Sequence, residues 1–347
     1  MGHAVRAAAV VRELAEAVPL RIAVIAGCDR RVWPASLERA TGQWVGEPSD
    51  CGVVQSDDVT VDRAATAREL AGWLADLDDI LQRETARLRG QFDLMIGDVP
   101  APAFEAAARA GIASVAVANF SWDWIYQELG FIEAARECAR FYAKADVLLR
   151  ATPFAPMPAF DNIVDVGLVA RRPSSARAAS RRARGFTDEQ SVVLLAFQPA
   201  SLPPLELPRR SSRRRFLVPS AWPQTHGRDD FVHLPASMSF EDAIAAADVI
   251  VGKPGYGLIS DVDAAGARFL YVPRPGFPEN TVLEQHLARR AGTASISAQD
   301  LASGGWEDAL AALEAAERPL PADWAGASRA ARAACSLLGI DWAPRVE

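Results

Sequence analysis

Residues 248–261 read Asp-Val-Ile-Val-Gly-Lys-Pro-Gly-Tyr-Gly-Leu-Ile-Ser-Asp: a short β-branched run, a turn punctuated by glycines, then the opening of a helix. Doubly wound parallel sheets are assembled from this strand, loop and helix step. Gly255 and Gly257 permit close backbone approach, and the unpaired N–H groups at the helix start favour an anion such as a diphosphate. The loop is neither a Walker motif, which would end Gly-Lys-Ser/Thr, nor a Gly-x-Gly-x-x-Gly fingerprint. On its residues alone it reads in two ways, as a phosphate cradle or as a plain strand-to-helix turn. Lys253 favours the cradle, because the chain has only two lysines, Lys144 and Lys253, against 35 arginines.

The same alternation extends in both directions. Strands are predicted at 21–26, 93–98, 112–118 and 146–150, then at 191–198, 216–219, 248–252, 267–272 and 293–296. Between them, Leu70, Trp73, Leu74, Leu77, Ile80 and Leu81 recur at three- and four-residue spacing and predict one amphipathic helix over 64–89. Further helices are expected at 101–110 and 124–143, and a last one near 324–338 after the proline-marked segment 318–321. The pattern breaks in Arg-Arg-Pro-Ser-Ser-Ala-Arg-Ala-Ala-Ser-Arg-Arg-Ala-Arg-Gly, residues 171–185, read as a linker or as a basic helix entering a second domain. The fold class is therefore α/β, with Rossmann-like parallel-sheet domains over residues 1–170 and 186–320 and a C-terminal helix in 321–347.

Composition narrows the function. At roughly 150 residues per domain, 347 residues make two domains. Half the residues are hydrophobic and 23% are charged, as in a folded chain rather than a disordered one. A net charge of −7 argues against a nucleic-acid partner. Cys28, Cys51, Cys138 and Cys335 show no CxxC spacing, which fits a reducing compartment. The longest apolar runs, such as 22–26 and 192–197, are far short of the roughly 18 residues of a membrane helix. Met1 is followed at once by a helical pattern without the layout of a signal peptide, so a cytoplasmic location is expected.

Three more clusters sit beyond predicted strand ends, where ligands collect in such sheets. Arg274, Glu279 and Asn280 follow the strand 267–272, with Glu284 and Gln285 on the next helix; they suit the hydroxyls of a ribose or sugar, or form an ordinary proline-rich loop. Asn119, Ser121, Trp122 and Asp123 follow the strand 112–118 and make either a sugar-binding surface or core packing. Asp98 ends the strand 93–98 and is a site carboxylate or a cap for the following helix. His3 begins the first helix as a capping or solvated residue or a base. His226, His233 and His286 lack metal-ligand spacing, and no Gly-x-Ser-x-Gly elbow appears.

Two α/β halves, a glycine loop plus acid-amide loop in the second, and a final helix after a proline break together resemble the GT-B glycosyltransferases. More closely, the chain resembles the predicted glycosyltransferases related to the amino-terminal region of plant L-arabinokinase, and more distantly family 28. The resemblance is carried by residues 2–6 (Gly-His-Ala-Val-Arg), 56–62, 97–100 (Gly-Asp-Val-Pro), 110–115, 119–126 (Asn-Phe-Ser-Trp-Asp-Trp-Ile-Tyr) and 247–257. It implies an acceptor-binding first domain and a second domain that binds a nucleotide-sugar donor, with reaction in a cleft between them. Lys253, Gly255, Tyr256, Gly257 and Ser260 would face the donor diphosphate, with Arg274, Glu279, Asn280 and Gln285 toward the ribose or sugar. His3 and Asp98 would be catalytic, and Asn119, Ser121, Trp122 and Asp123 would meet the acceptor. The implied reaction is direct displacement at the anomeric carbon, without metal or other cofactor.

The sequence departs from the family in three places. No strand precedes Gly2-His3, Gln198-Pro199 stands where a glycine pair is expected, and Asp261 replaces a glutamate after the glycine loop. These departures keep two alternatives in view, a non-catalytic nucleotide-sugar-binding relative and a nucleotide-sugar epimerase.

Overall fold

The computed structural model describes residues 2–55, 61–197, 205–206, 209–220, 222, 228–235 and 238–342. The segment from Ser56 to Thr60, Gln198, Pro199 and His226 lie outside the described residues. The chain divides into two compact units. One takes Val61–Ala170 with the segment up to Ser56 and the segment from Asp323 onward, and the other takes Arg171–Ala322.

The first unit begins with α1 (Gly2–Ala17), β1 (Ile22–Ile25), β2 (Thr41–Val45), α2 (Arg63–Ala75), α3 (Leu77–Leu88), β3 (Leu94–Gly97) and α4 (Ala101–Ala110). It continues through β4 (Ala113–Ala118), α5 (Trp122–Glu128), α6 (Ile132–Tyr142), β5 (Val147–Ala151) and β6 (Ile163–Gly167). All strand pairings are parallel, but they fall in two sheets, β1 with β2 and β3-β4-β5-β6 in that order. Among the described residues no strand precedes α1.

The second unit contains α7 (Arg177–Arg182), β7 (Ser191–Leu195), β8 (Arg214–Val218), β9 (Phe231–His233), α8 (Phe240–Ala246) and β10 (Val249–Gly252). After these come α9 (Tyr256–Ala265), β11 (Arg268–Tyr271), α10 (Pro278–Ala288), β12 (Thr293–Ser295), α11 (Ala298–Ser303) and α12 (Glu307–Ala315). Its six strands form one parallel sheet, β12-β11-β10-β7-β8-β9. The strand order reverses between β7 and β10, the topological switch point of a doubly wound sheet. One face buries Val193, Leu195, Val249, Val251 and Leu270 against Trp306 and Leu310.

The last helix, α13 (Gly326–Leu337), belongs to the first unit. Its Ala327, Ala330, Ala331 and Ala334 recur at helical spacing and pack with Ala9, Val10 and Leu14 of α1 on Val115, Val117 and Leu149 of the sheet. Val169 and Ala325 pair as an antiparallel bridge at its entry. A Cβ at Gly326 would lie 2.1 Å from the Leu168 carbonyl oxygen, so this approach requires glycine.

The helix predicted over 64–89 is two helices, broken at Asp76 (φ −92°, ψ 1°). That predicted over 124–143 starts at Trp122 and is broken at Gly130, whose φ of +79° no helix continues. The basic stretch 171–185 forms α7, and its charges are consumed inside the unit. Arg171 pairs with Asp261, Ser174 and Ser175 bond Asp242, and Arg177 and Arg181 share Asp248. No described helix is long and apolar enough to cross a membrane.

Candidate functional site

In the first unit the site is built where β3 ends and α1 begins. Gly97 packs so closely that a Cβ there would lie 2.9 Å from Pro100 and 3.1 Å from Phe104. Val99 is fully buried at φ +57°, a region that β-branched residues avoid at a cost of about 1–3 kcal/mol. Its carbonyl is held by the Tyr142 hydroxyl, which donates at 2.8 Å and accepts from the Trp122 N–H at 3.3 Å. This bent, buttressed backbone fixes Asp98. The residue does not cap α4, whose N-cap is Pro100.

His3 and Arg6, three residues apart, share one face of α1 and meet that carboxylate. Arg6 donates from Nε to Oδ2 and from Nη2 to Oδ1, each at 2.7 Å, a bidentate clasp. His3 Nδ1 lies 2.8 Å from Oδ1. Arg6 also donates to Asn119 Oδ1, and the Asn119 amide donates to the carbonyls of Ala151 (2.8 Å) and Pro153 (2.6 Å). Burial works against charge on Asp98, but Arg6 and His3 outweigh it and hold the carboxyl below its ordinary range. The side chains of Arg6 and Asp98 are 7% and 4% exposed and that of His3 is 38% exposed, so the imidazole is the solvent-facing end of the assembly. With Nδ1 donating to the carboxylate, Nε2 keeps a lone pair able to take a proton from a hydroxyl.

The aromatic segment stands beside His3. Phe120 meets the imidazole edge-on at 5.5 Å between centroids and Trp122 lies at 6.0 Å. Trp122 stacks on Tyr126, and its Nε1 donates to Asp50 Oδ2 at 3.1 Å, while the Tyr126 hydroxyl donates to the Cys51 carbonyl. Burial pushes the Asp50 carboxyl up, opposed by His3 and Trp122. It also pushes Asp123 up, with Ser121 working the other way. Asn119, Ser121, Trp122 and Asp123 are all buried, so they form the frame of this site rather than an open aromatic surface.

The structure thus brings His3, Asp98, Asn119 and Trp122 together, although they are distant in sequence. Sequence reasoning missed Arg6 and Asp50. The His-x-x-Arg spacing was the available signal for Arg6, masked by 35 arginines of mostly ordinary use.

In the second unit the loop after β10 lies at the switch point. A Cβ at Gly252 would meet Ala196, just beyond β7, at 3.3 Å, so that glycine serves sheet packing. Gly255 and Gly257 differ, since a Cβ at either would meet nothing within 4 Å, and Gly255 (φ −160°) has an extended backbone open to any residue. Neither conformation nor packing demands these two glycines, which leaves open space above the start of α9. Lys253 is partly exposed, whereas Tyr256 and Ser260 are buried. Asp261 points away from any ligand role: it accepts from Arg171 N–H and Nε at 2.8 Å each. Burial raises its carboxyl, opposed by Arg171.

The second loop is tied to the first, the Val272 N–H donating to the Gly252 carbonyl at 3.0 Å. Asn280 Oδ1 accepts from the Arg274 N–H at 2.9 Å and its amide donates to Glu284 at 2.8 Å, while the Arg274 guanidinium sits 3.7 Å over the Phe277 ring. Asn280 therefore organises this loop. Glu279 is partly exposed and Gln285 fully exposed beside it. Asp263 closes the far side of α9 by accepting from Arg290 and pairing with His286 Nε2 at 2.7 Å, which accounts structurally for that histidine.

No protein-family model matches the chain. It is 33% identical over 319 residues to an L-arabinokinase of Arabidopsis thaliana, a match covering 88% of this chain and 30% of that protein. The chain thus spans about a third of the length of that plant relative. Among solved structures it resembles MurG of Acinetobacter baumannii (TM-score 0.53, 16% identity, 97% of this chain and 95% of that one). It also resembles an Arabidopsis thaliana UGT complexed with quercetin (0.59, 12%, 97% and 92%) and the glycosyltransferase SnogD of Streptomyces nogalater (0.56, 14%, 98% and 96%). The fold is that of the GT-B glycosyltransferases.

Proposed function

We propose that the protein is a glycosyltransferase that passes a hexosyl group from a nucleoside-diphosphate sugar to an acceptor hydroxyl. The observation that carries this reading is the His3, Asp98 and Arg6 assembly at the end of β3 in a GT-B fold. His3 Nε2 takes the acceptor proton as the acceptor oxygen attacks the anomeric carbon. The bond from that carbon to the phosphate oxygen breaks, and its electron pair leaves with the nucleoside diphosphate. Asp98, kept anionic by Arg6, holds the imidazole in its Nδ1–H tautomer and stabilises the imidazolium that forms. Asn119 fixes Arg6, and Ser121, Trp122 and Asp123 shape the wall against which the imidazole rests.

In the second unit the open backbone at Gly255, Tyr256 and Gly257, the N-terminus of α9, Lys253 and Ser260 suit a diphosphate. Arg274 adds charge, and Glu279, Asn280 and Gln285 suit ribose or sugar hydroxyls. Leaving-group charge is taken by the helix start and the lysine, so the reaction as written uses no metal. The acidic net charge and scattered cysteines fit a cytoplasmic enzyme. The test is incubation with UDP-, GDP- and dTDP-sugars across an acceptor panel, following nucleoside diphosphate release. Transfer that disappears in His3→Ala while donor binding persists supports the reading. Donor binding without hydrolysis or transfer on any acceptor overturns it in favour of a non-catalytic binder.

A further inference from the structure

The two sheets of the first unit share one missing relationship. In the second unit β7 lies between β8 and β10, and Val192, Val193 and Leu194 are fully buried there. The first unit follows the same doubly wound plan, β2 beside β1 and β3-β4-β5-β6, but β1 and β3 each pair on one side only. Ile22 N–H donates to Ala40 and Ala26 N–H to Val45, so by strand alternation the N–H groups of Ala23 and Ile25 point to the opposite edge. Side chains report the same edges. Ile25 is 40% exposed and Leu94, Met95 and Ile96 are partly exposed, whereas Val115–Ala118 of the neighbouring β4 are fully buried.

Helix α1 spans both edges. Ala8, Val11 and Ala15 pack with Val24 and Trp44 on the two-stranded sheet. Ala9, Val10 and Leu14 pack with the cluster that includes Leu94 and Ile96. Its N-terminus is pinned by His3 and Arg6 to Asp98, one residue past the carboxyl end of β3, and its C-terminus feeds through Val18 and Leu20 into β1. This is the path of a crossover helix in a βαβ unit, whose leading strand ends where α1 begins.

We propose that a parallel strand of about five apolar residues, supplied by polypeptide joined ahead of Met1, docks between β1 and β3 and merges the two sheets. The occupant is set by the geometry. A central strand covered on both faces requires a continuous β-branched run, and its carboxyl end must connect to Gly2 beside His3, which calls for a short glycine turn. The strand would satisfy the N–H groups of Ala23 and Ile25 and the free edge of β3, and would anchor the turn of α1 that carries the imidazole.

Hydrogen exchange tests this first on the 347-residue chain. Amides of 22–25 and 94–97 that point to the open edges should exchange at least tenfold faster than those of β4; equal protection would mean the edges are already paired and would sink the proposal. The second step compares two extensions ahead of Gly2, Val-Ile-Val-Ile-Val-Gly-Gly and a Gly/Ser segment of equal length. Only the apolar extension should slow exchange in both strands, by tenfold or more, and raise the unfolding midpoint in a monomer. Equal exchange with both extensions, protection of one strand alone, or protection that appears only with dimerisation would overturn it, the last showing that two copies pair their edges instead.

Discussion

Replacing Arg6 by methionine keeps the aliphatic stem and removes the guanidinium, which isolates the electrostatic centre of the first unit. In the wild type Asp98 receives two hydrogen bonds from Arg6 at 2.7 Å and one contact from His3 at 2.8 Å, with its side chain 4% exposed. Without Arg6 a buried carboxylate keeps only the imidazole. Breaking a buried pair in this way costs about 3–5 kcal/mol. At roughly 2–4 °C per kcal/mol for a unit of this size, the unfolding midpoint should fall by about 6–20 °C at neutral pH.

The pH dependence carries a sign that a packing defect would not reproduce. The wild-type carboxyl is depressed, so its stabilisation is present above the unfolded value near 4 and fades as pH drops through the lower folded value. In Arg6→Met burial dominates, the carboxyl rises, and folding takes up a proton. The variant therefore recovers relative stability as pH falls through that raised value, and the gap to wild type narrows toward about pH 4. Tryptophan fluorescence of thermal unfolding between pH 4 and 8 reads this directly, since Trp122 lies beside His3. A variant that unfolds within about 1 °C of wild type at pH 7, or a gap that widens on acidification, would refute the reasoning.

Other substitutions separate ligand space from structural glycine. Gly255→Asp has room for its side chain and an unstrained backbone, so the unfolding temperature should hold while nucleoside diphosphate affinity, measured calorimetrically, drops more than tenfold, about 1.4 kcal/mol. Gly266→Ala, at φ +58° and with a Cβ 2.5 Å from the Pro319 carbonyl oxygen, should instead destabilise the second unit by more than about 2 kcal/mol in denaturant titrations. The Cys51 thiol is pushed up to about 11 by burial, with Glu69 and Asp50 adding to it. Iodoacetamide at pH 8 should therefore label it far more slowly in the native protein than in the urea-unfolded chain, and equal rates would contradict that environment.

Much of the architecture was written in local pattern. The runs at 93–98, 112–118 and 248–252 became β3, β4 and β10 because each is apolar enough to be central in a parallel sheet. Strands β2, β6 and β9 escaped notice because they sit toward sheet margins. Thr41-Gly42-Gln43 has no apolar run, Asp165 interrupts β6, and β9 is only three residues long. The breaks at Asp76 and Gly130 were concealed by apolar spacing that continues through them. For the site, Asp98 and His3 could be singled out individually, but the joining of His3, Arg6, Asp98 and Asn119 rests on contacts spanning 92 to 113 residues, which no local pattern encodes.

The return of α13 to the first unit has a consequence for synthesis on the ribosome. Residues 171–322 are one contiguous block, whereas the sheet of the first unit waits for α13 to cover Val115, Val117 and Leu149. At about 5–20 residues per second, the stretch from Ala170 to Leu337 takes roughly 10–30 s to emerge. During that interval the nascent first unit exposes a bare apolar sheet face while the second unit can already complete its own core. Chaperone occupancy and aggregation during translation should therefore concentrate on the amino-terminal half, and the last dozen residues of α13 act as its closing step.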